Sequence, residues 1–305
     1  MPRKPDLFIV GAPKSGTTSM YEYLSGHPDI YMSPNKEPMY FCPDIVNPQH
    51  KPLHFPEDES RYLDLYAGAR SEKRRGEATT RYLVSRQAPA LIREFESGAF
   101  IVVMLRNPVD MVHALHGERV LQGHEAITDF TAAMEADLER QSDPLGSGEP
   151  RTPSYRETAR YGDQLERWLS VFGRDRLHVM VFDDFSRDTA AELARLLEFL
   201  DVDAEYQPPS LTSHNAAYQQ RAVVRRVVDS RPGEWVTHRL LPRLIGPNAR
   251  ASLALRFRQS RLNRRPASRS PLPAGLRESL QEELRPDVAK LSDILERDLV
   301  SLWFK

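Results

Sequence analysis

One stretch near the start of the chain constrains the fold more than any other. Residues 7–10 are four successive apolar residues, the length and composition of a buried β-strand. Gly11, Pro13 and Gly16 follow and predict a tight loop, and from Thr17 the apolar residues recur at helical spacing. A strand, a glycine-containing loop and a helix in this order bring backbone amides and the positive end of the helix dipole to one point. The stretch therefore predicts an anion-binding loop suited to a phosphate.

The position of the lysine in this loop separates two classes of phosphate-binding protein. Gly11 and Gly16 have the spacing of a Walker A loop, in which a lysine follows the second glycine. Here Thr17 occupies that position, and the lysine of the loop is Lys14. This departure argues against an ordinary P-loop kinase or nucleoside triphosphatase, and a P-loop kinase is kept as the alternative enzyme class.

The order of residues in the loop resembles the 5′-phosphosulfate loop of sulfotransferases that use 3′-phosphoadenosine 5′-phosphosulfate (PAPS), in particular the heparan-sulfate and bacterial branch. The resemblance implies that this P-loop-like segment binds the 5′-phosphosulfate and that Lys14 stabilises the leaving phosphate oxygen. The residues that it assigns to donor binding are Pro13, Lys14, Ser15, Gly16, Thr17 and Thr18.

A second clear strand, residues 100–105, ends at Arg106, whose guanidinium can hold a phosphate through two hydrogen bonds. The stretch 105–110 resembles the 3′-phosphate motif of the same family, which assigns Arg106 to the 3′-phosphate of PAPS. In that family a serine eight residues after the arginine also binds this phosphate, but here the position is Ala114. One donor is therefore missing, and the candidate replacements are His113, His116 or an arginine from the arginine-rich residues 219–270.

Further segments extend the likeness. Residues 35–41 resemble the family loop that carries its proposed catalytic base, which assigns Glu37 as the general base and Lys36 as a lysine near the donor. Residues 77–83 resemble another family segment, with Arg81 in place of a usual proline. The resemblance covers most of residues 6–215 and 271–305.

Histidine is the alternative to Glu37 as the base. The candidates are His214, in a loop of small polar residues, and His116, on the helix that follows Arg106. Transfer to a hydroxyl needs a group that accepts its proton, and such assistance is typically worth about 10²- to 10⁴-fold in rate. The sequence leaves the choice between Glu37 and a histidine open.

The whole chain, residues 1–305, predicts a single α/β domain with a short central parallel sheet flanked by helices, because buried strands alternate with helical segments. Ligands of such sheets bind at the carboxyl ends of the strands, and Lys14 and Arg106 each follow such an end. Strands are predicted at 7–10, 76–78, 100–105 and 177–182, and a short extended piece is predicted at 30–32. Helices are predicted from 17, at 60–67, 86–96, 108–121, 127–141, 155–172 and 188–200, and as a pair within 274–300 that is broken at Pro286. Residues 142–156 predict a flexible loop, the best candidate for a lid.

The charge of the chain is unevenly distributed. The formal net charge is −1 over 305 residues, yet residues 219–270 contain thirteen arginines, no lysine and two acidic residues. This segment predicts a basic face that is either simply solvated or faces an anionic donor or acceptor. A basic anion- or polymer-binding module is accordingly the non-enzymatic alternative. Nucleic acid is not expected as a partner, because aromatic residues for base stacking are nearly absent there.

Composition limits the remaining classes. No apolar run approaches the roughly 20 residues of a membrane span, and the first residues lead into a strand without a secretory segment. The single cysteine, Cys42, excludes an internal disulfide. A cytoplasmic protein without a metal site is expected, and the preference for arginine over lysine is typical of a high-GC bacterium.

The resemblance implies an enzyme that moves a sulfuryl group from PAPS to a hydroxyl of a carbohydrate or a hydroxylated natural product. Sulfuryl transfer resembles phosphoryl transfer in that positioning and charge neutralisation dominate, so cations such as Lys14 can serve in place of a metal. The acceptor itself and the oligomeric state are not identified by the sequence.

Overall fold

A computed structural model describes residues 3–45, 55–140, 151–211, 218–220, 264–266 and 271–304. The chain forms two compact units. The first unit is Met1–Asn215 together with Leu272–Lys305, and the second is Ala216–Pro271.

The first unit is built on a five-stranded parallel sheet. In chain order its strands are β1 (Leu7–Gly11), β2 (Ile30–Met32), β3 (Arg74–Ala78), β4 (Phe100–Leu105) and β5 (Leu177–Val181). Their order across the sheet is β2-β3-β1-β4-β5, and every pairing in it is parallel. This confirms the predicted α/β fold with a short parallel sheet.

The apolar run of β1 is continuous because both faces of the sheet are covered. Phe8 and Val10 pack into the core on one face, whereas Leu7 and Ile9 pack into the core on the other. All five residues of the strand are buried. A strand of this kind cannot lie at the surface, so β1 occupies the middle of the sheet.

Helices form a layer on each face. They are α1 (Thr17–Ser25), α2 (Glu59–Asp64), α3 (Ala88–Phe95), α4 (Pro108–Gln122), α5 (Phe130–Arg140), α6 (Tyr155–Ala159), α7 (Tyr161–Phe172), α8 (Phe182–Arg187), α9 (Thr189–Phe199), α10 (Ala274–Leu295) and α11 (Leu299–Trp303). Helices α1 and α9 contribute to the core that contains Leu7 and Ile9. Helices α3, α4, α7 and α10 contribute to the core that contains Phe8 and Val10.

Two predicted helices begin or divide at other points than the sequence predicts, because aspartate side chains cap the chain there. The helix predicted at 127–141 begins at Phe130, since the Asp129 carboxylate accepts from the Ala132 amide at 2.9 Å. The helix predicted at 155–172 is two helices, α6 and α7. Asp287 accepts from the amides of Gly162 and Asp163 at 2.9 and 3.2 Å and so caps the start of the second. The residues after β5 form α8, which the sequence did not predict as a helix.

The predicted break at Pro286 is wrong. Helix α10 continues through this proline. Its buried residues before and after the proline, Leu284 and Val288, pack into the same core as α7. Packing on both sides of Pro286 therefore outweighs the loss of one backbone hydrogen bond.

Within the second unit the structure describes one antiparallel strand pair. Strands β6 (Tyr218–Gln220) and β7 (Arg264–Pro266) pair with Gln219 opposite Arg265. Most of the arginine-rich segment 219–270 lies outside the described residues, so its predicted basic face stays a prediction. The same is true of most of the lid predicted at 142–156.

Candidate active site

The sheet order brings the loop after β1 between the ends of two other strands. Strand β1 pairs with β3 on one side and with β4 on the other. Parallel strands end at the same edge of a sheet, so the loop at Lys14 lies between the turn at Thr79 and Thr80 and the strand end at Arg106. This arrangement places the candidate active-site residues at one edge of the sheet.

The loop after β1 leads into the N-terminus of α1. Gly16 is the N-cap residue and adopts a left-handed conformation with φ 92°. Having no side chain, it leaves the first-turn amides of α1 without a capping side chain of its own. Ser15 and Thr17 are buried beside these amides, and Thr18 and Pro13 are half-buried. The arrangement presents amides, hydroxyls and the helix dipole to one anion.

Arg106 and Lys14 are held side by side at this edge. The Nη1 atom of Arg106 donates to the carbonyl oxygen of Lys14 at 3.3 Å. The guanidinium also lies 4.9 Å from the ring centre of Phe182, the first residue of α8. Two residues with cationic side chains, one after β1 and one after β4, thus meet at the loop that leads into α1.

The ammonium group of Lys14 has an acidic partner. Its Nζ lies 3.3 Å from Oε1 of Glu118 on α4. The side chain of Lys14 is 14% exposed and that of Glu118 is 38% exposed, so the pair sits at the edge of the site rather than within the core. Glu118 was not among the residues singled out from the sequence.

Glu37 lies over the end of β3. Its amide donates to the carbonyl of Ala78 at 2.9 Å. Its carboxylate accepts from the Thr80 amide at 3.0 Å and from the Thr80 hydroxyl at 3.1 Å. Lys36 lies 3.4 Å from the same carboxylate. Both side chains are partly exposed, so the carboxylate is held in place yet reachable by a substrate.

A second carboxylate, Glu77, is completely buried beneath this loop. It accepts from the hydroxyls of Tyr62, Thr79 and Tyr82 at 2.6, 2.7 and 3.0 Å. Burial raises the pKa of Glu77 to about 7, although the three hydroxyl donors oppose that rise. The carboxylate is the centre of a buried polar cluster next to the candidate base.

The structure describes one of the two candidate histidines, His116. His116 on α4 is buried, with Nε2 2.8 Å from the carbonyl oxygen of Ile127 and its ring against Phe130 and Tyr155. These contacts are those of a core histidine. His214 lies outside the described residues.

Near Arg106 there is one buried hydroxyl that the sequence did not single out. Tyr161, the first residue of α7, is fully buried, and its hydroxyl has no hydrogen-bond partner among the described residues. Burial raises the pKa of Tyr161, and the charge of Arg106 opposes this, which places the hydroxyl in the electrostatic field of that arginine. Ala114, where the family has a serine, is buried on α4.

The acidic pair after β5 is engaged in structural contacts. Asp183 accepts from the indole nitrogen of Trp303 at 3.0 Å. Asp184 is bonded to Arg297 and Arg187, which lower its pKa. Within the part of the chain that the structure describes, no group of three or more histidine, cysteine or acidic side chains is arranged to hold a metal ion.

The sequence matches the sulfotransferase domain family over residues 4–221. This chain belongs to the sulfotransferase family. The match confirms the predicted family, and the loop after β1 lies within the matched residues. No helix among the described residues is both long and apolar enough to span a bilayer.

Two curated sulfotransferases illustrate the similarity. The chain is 26% identical over 205 residues to heparan sulfate glucosamine 3-O-sulfotransferase 3B1 of Mus musculus, an alignment that covers 65% of this chain and 46% of the relative. It is 22% identical over 294 residues to membrane-associated sulfotransferase kil1 of Dictyostelium discoideum, covering 71% and 61%. The chain thus spans about half to three fifths of the length of these relatives.

A solved sulfotransferase shares the fold over its full length. The crystal structure of a sulfotransferase from Alicyclobacillus acidocaldarius is 27% identical, covers 99% of this chain and 100% of its own, and superposes with a TM-score of 0.72.

Proposed function

We propose that this sulfotransferase transfers the sulfuryl group of PAPS to a hydroxyl group of a carbohydrate or of a hydroxylated natural product. The observation that carries the proposal is the hydrogen bond from the Arg106 guanidinium to the carbonyl oxygen of Lys14, in the loop that leads into the uncapped N-terminus of α1. A donor with phosphate groups at both its 5′ and 3′ ends fits two cations that lie at neighbouring strand ends.

The residues at the site suit both ends of PAPS. The loop 13–18 and the first turn of α1 offer amides and hydroxyls for the 5′-phosphosulfate. Arg106 offers a bidentate contact for the 3′-phosphate. The buried Tyr161 hydroxyl, which lacks a partner among the described residues, is our candidate for the donor that Ala114 does not supply. A buried hydroxyl of this kind gains a hydrogen bond when an anion reaches it.

PAPS supplies the activated sulfuryl group when bound. Lys14 would place its ammonium group where negative charge develops on the departing 5′-phosphate oxygen, the kind of contact that most lowers such barriers. Glu37 would accept the proton of the acceptor hydroxyl as that oxygen forms its bond to sulfur. Thr80 fixes the Glu37 carboxylate through two hydrogen bonds, and Lys36 keeps positive charge beside it.

Glu37 is the base that this geometry favours over His116, the candidate histidine that the structure describes. Its carboxylate is partly exposed at the carboxyl edge of the sheet, whereas His116 is buried and bonded to a backbone carbonyl. The kinase alternative is weaker because the acidic residues that could bind its metal ion already have other partners. Asp183 and Asp184, the acids after β5, are committed to Trp303 and Arg297 and are poorly available for Mg²⁺.

The acceptor class is proposed from the relatives together with the site. A relative acts on heparan sulfate glucosamine, according to its name, and the site has cations beside its candidate base. A carbohydrate hydroxyl is therefore the first acceptor to test, and a hydroxylated small molecule is the second.

The donor can be tested by calorimetry with 3′-phosphoadenosine 5′-phosphate (PAP) and with ADP. We expect PAP to bind at least about tenfold more tightly, because a bidentate charged contact to the 3′-phosphate adds more than about 1.4 kcal/mol. Arg106→Ala should remove the difference, whereas Arg93→Ala, an exposed arginine on α3, should keep it. Equal binding of PAP and ADP to the unaltered protein would overturn the proposed donor.

A further inference from the structure

The loop that carries Glu37 is attached to the sheet through the buried carboxylate of Glu77. Two backbone amides of this loop donate to side-chain hydroxyls below it. The Met39 amide donates to Oγ1 of Thr79 at 3.4 Å, and the Phe41 amide donates to the hydroxyl of Tyr82 at 3.3 Å. Both hydroxyls donate in turn to Glu77, at 2.7 and 3.0 Å.

The loop needs such an attachment because of its backbone conformation. Glu37 and Met39 both have positive φ values, 62° and 57°. Residues with a side chain adopt this left-handed region rarely, and they keep it where surrounding bonds over-determine it. The hydrogen bond from Met39 to Thr79 is one of those bonds, so the conformation that aims Glu37 depends on a hydroxyl held by Glu77.

Aromatic packing fixes the other end of the loop to the same carboxylate. The ring of Tyr40 stacks on Tyr62 with centres 4.6 Å apart and planes 9° apart. Tyr62 donates to Glu77 at 2.6 Å. Three side chains whose hydroxyls donate to one buried carboxylate thus contact three successive residues of the loop: two through hydroxyls, at Met39 and Phe41, and one through its ring, at Tyr40.

We propose that Glu77 is a positioning residue for the sulfuryl transfer: through Thr79, Tyr82 and Tyr62 it holds the loop 36–41 in the conformation that aims Glu37 at the acceptor. Glu77 is fully buried and acts through these partners rather than by touching a substrate. The inference rests on the proposed role of Glu37 as the base.

Thr79→Val is the most direct variant, because valine keeps the shape and removes only the hydroxyl. Thr79→Ser restores the hydroxyl and serves as the rescue. Tyr66→Phe is the matched control, since Tyr66 is equally buried and donates to Tyr62 at 3.4 Å but has no hydrogen bond to the loop among the described residues. Thermal melting checks that each variant is folded.

The first readout does not require a substrate. Hydrogen–deuterium exchange of the peptide covering residues 36–41 should be about tenfold faster at Met39 in Thr79→Val. The rate should return towards the unaltered protein in Thr79→Ser and stay unchanged in Tyr66→Phe. Unchanged exchange in Thr79→Val, or equal acceleration in Tyr66→Phe, would overturn the attachment.

The second readout is kcat for transfer of ³⁵S from labelled PAPS to heparan sulfate. Thr79→Val should lower kcat roughly 10- to 100-fold while PAP affinity by calorimetry stays constant, because misplacing a base by about 1 Å costs up to that much. In a Glu37→Gln background, Thr79→Val should have no further effect, since both changes remove the same assistance. Additive losses would mean that Thr79 acts independently of Glu37 and would overturn the positioning role.

The two proposals fail in different ways. If Glu37→Gln keeps full kcat, the assignment of Glu37 as the base fails, and the positioning role of Glu77 that rests on it fails as well. If the unaltered protein transfers no label and does not prefer PAP to ADP, the proposed function fails, and the exchange data still report on the loop. If Glu37→Gln loses activity but Thr79→Val does not, Glu37 stands as the base and the role of Glu77 is rejected.

Discussion

At the scale of single residues, the ion pair between Lys14 and Glu118 competes with an incoming anion. The two groups are 3.3 Å apart and partly exposed. In the proposed function a bound phosphosulfate contacts the same ammonium group, so donor binding would weaken this pair. Glu118 would also place a negative charge close to the proposed anion site. The pair is therefore expected to limit donor affinity.

Glu118→Gln should accordingly tighten PAP binding by about two- to fivefold, the range that corresponds to a partly exposed ion pair worth up to about 1 kcal/mol. Calorimetry at low and at high salt measures this effect, which should shrink as salt rises. Glu94→Gln, at an exposed position on α3, is the control and should change nothing. Weaker binding in Glu118→Gln would mean that the carboxylate helps to position Lys14 instead.

Glu77 makes stability depend on pH. Burial raises its pKa to about 7 in the folded protein, against 4.5 as the ordinary value. Between these two values the folded state binds more protons than the unfolded state, so the free energy of unfolding falls as pH rises. The contribution of the protonated group is complete below about pH 4.5 and is lost as pH rises through 7.

Between pH 5 and pH 8 this single group should lower the free energy of unfolding by about 2 kcal/mol. Urea unfolding at both pH values measures the change in the unaltered protein and in Glu77→Gln. The variant should lose that part of the pH dependence, whereas Glu94→Gln should keep it. An identical pH dependence in Glu77→Gln would show that the carboxyl does not titrate in this window.

At the scale of elements, the sequence predicted the sheet better than the ends of the helices. Apolar runs of four or more residues, such as 7–10 and 100–105, form strands that are covered on both faces of the sheet. Such a run is a property of the strand's own sequence, so the strand can be predicted without knowledge of its neighbours. The break between α6 and α7 depends instead on Asp287, which lies far away in sequence and caps Gly162. A boundary set by a distant side chain leaves no local pattern.

The same distinction applies to the site. Lys14, Arg106 and Glu37 lie in segments whose residue order resembles a known family. Glu118 is identified only from the structure, because its partner Lys14 lies on another element. Tyr161 is identified because its buried hydroxyl has no hydrogen-bond partner among the described residues. The contact between Glu37 and Thr80 likewise depends on β3 lying between β2 and β1.

The continuous helix α10 gives a prediction about Pro286. The proline removes one backbone hydrogen bond inside a helix whose flanking residues are well packed. Pro286→Ala restores the amide and should raise the free energy of unfolding by about 2 kcal/mol, because the helix gain of roughly 3 kcal/mol is reduced by up to about 1 kcal/mol through the greater freedom of the unfolded chain. Urea unfolding measures this. Pro273→Ala, at the N-cap, should give no such gain, and destabilisation by Pro286→Ala would mean that the proline is needed for packing.

At the scale of the whole molecule, the parallel sheet gathers the chemistry at one edge. Lys14 follows β1, Arg106 follows β4 and Thr80 follows β3, and their neighbours hold Glu37 over the same edge. The stability of such a fold comes mainly from the two cores that cover the faces of the sheet. The candidate active-site residues lie instead at the ends of the strands, outside these cores.

The transfer itself is the measurement that tests this account most directly. The protein is incubated with ³⁵S-labelled PAPS and heparan sulfate, and separately with 4-nitrophenol as a small hydroxyl acceptor, and with γ-³²P-ATP in place of PAPS as the comparison donor. We expect label from PAPS on a hydroxyl acceptor and none from ATP. Lys14→Ala should lower the rate by about 10²-fold or more, as the loss of a group that stabilises developing charge does. Transfer of phosphate from ATP without transfer of sulfate from PAPS, or full activity in Lys14→Ala, would contradict the account.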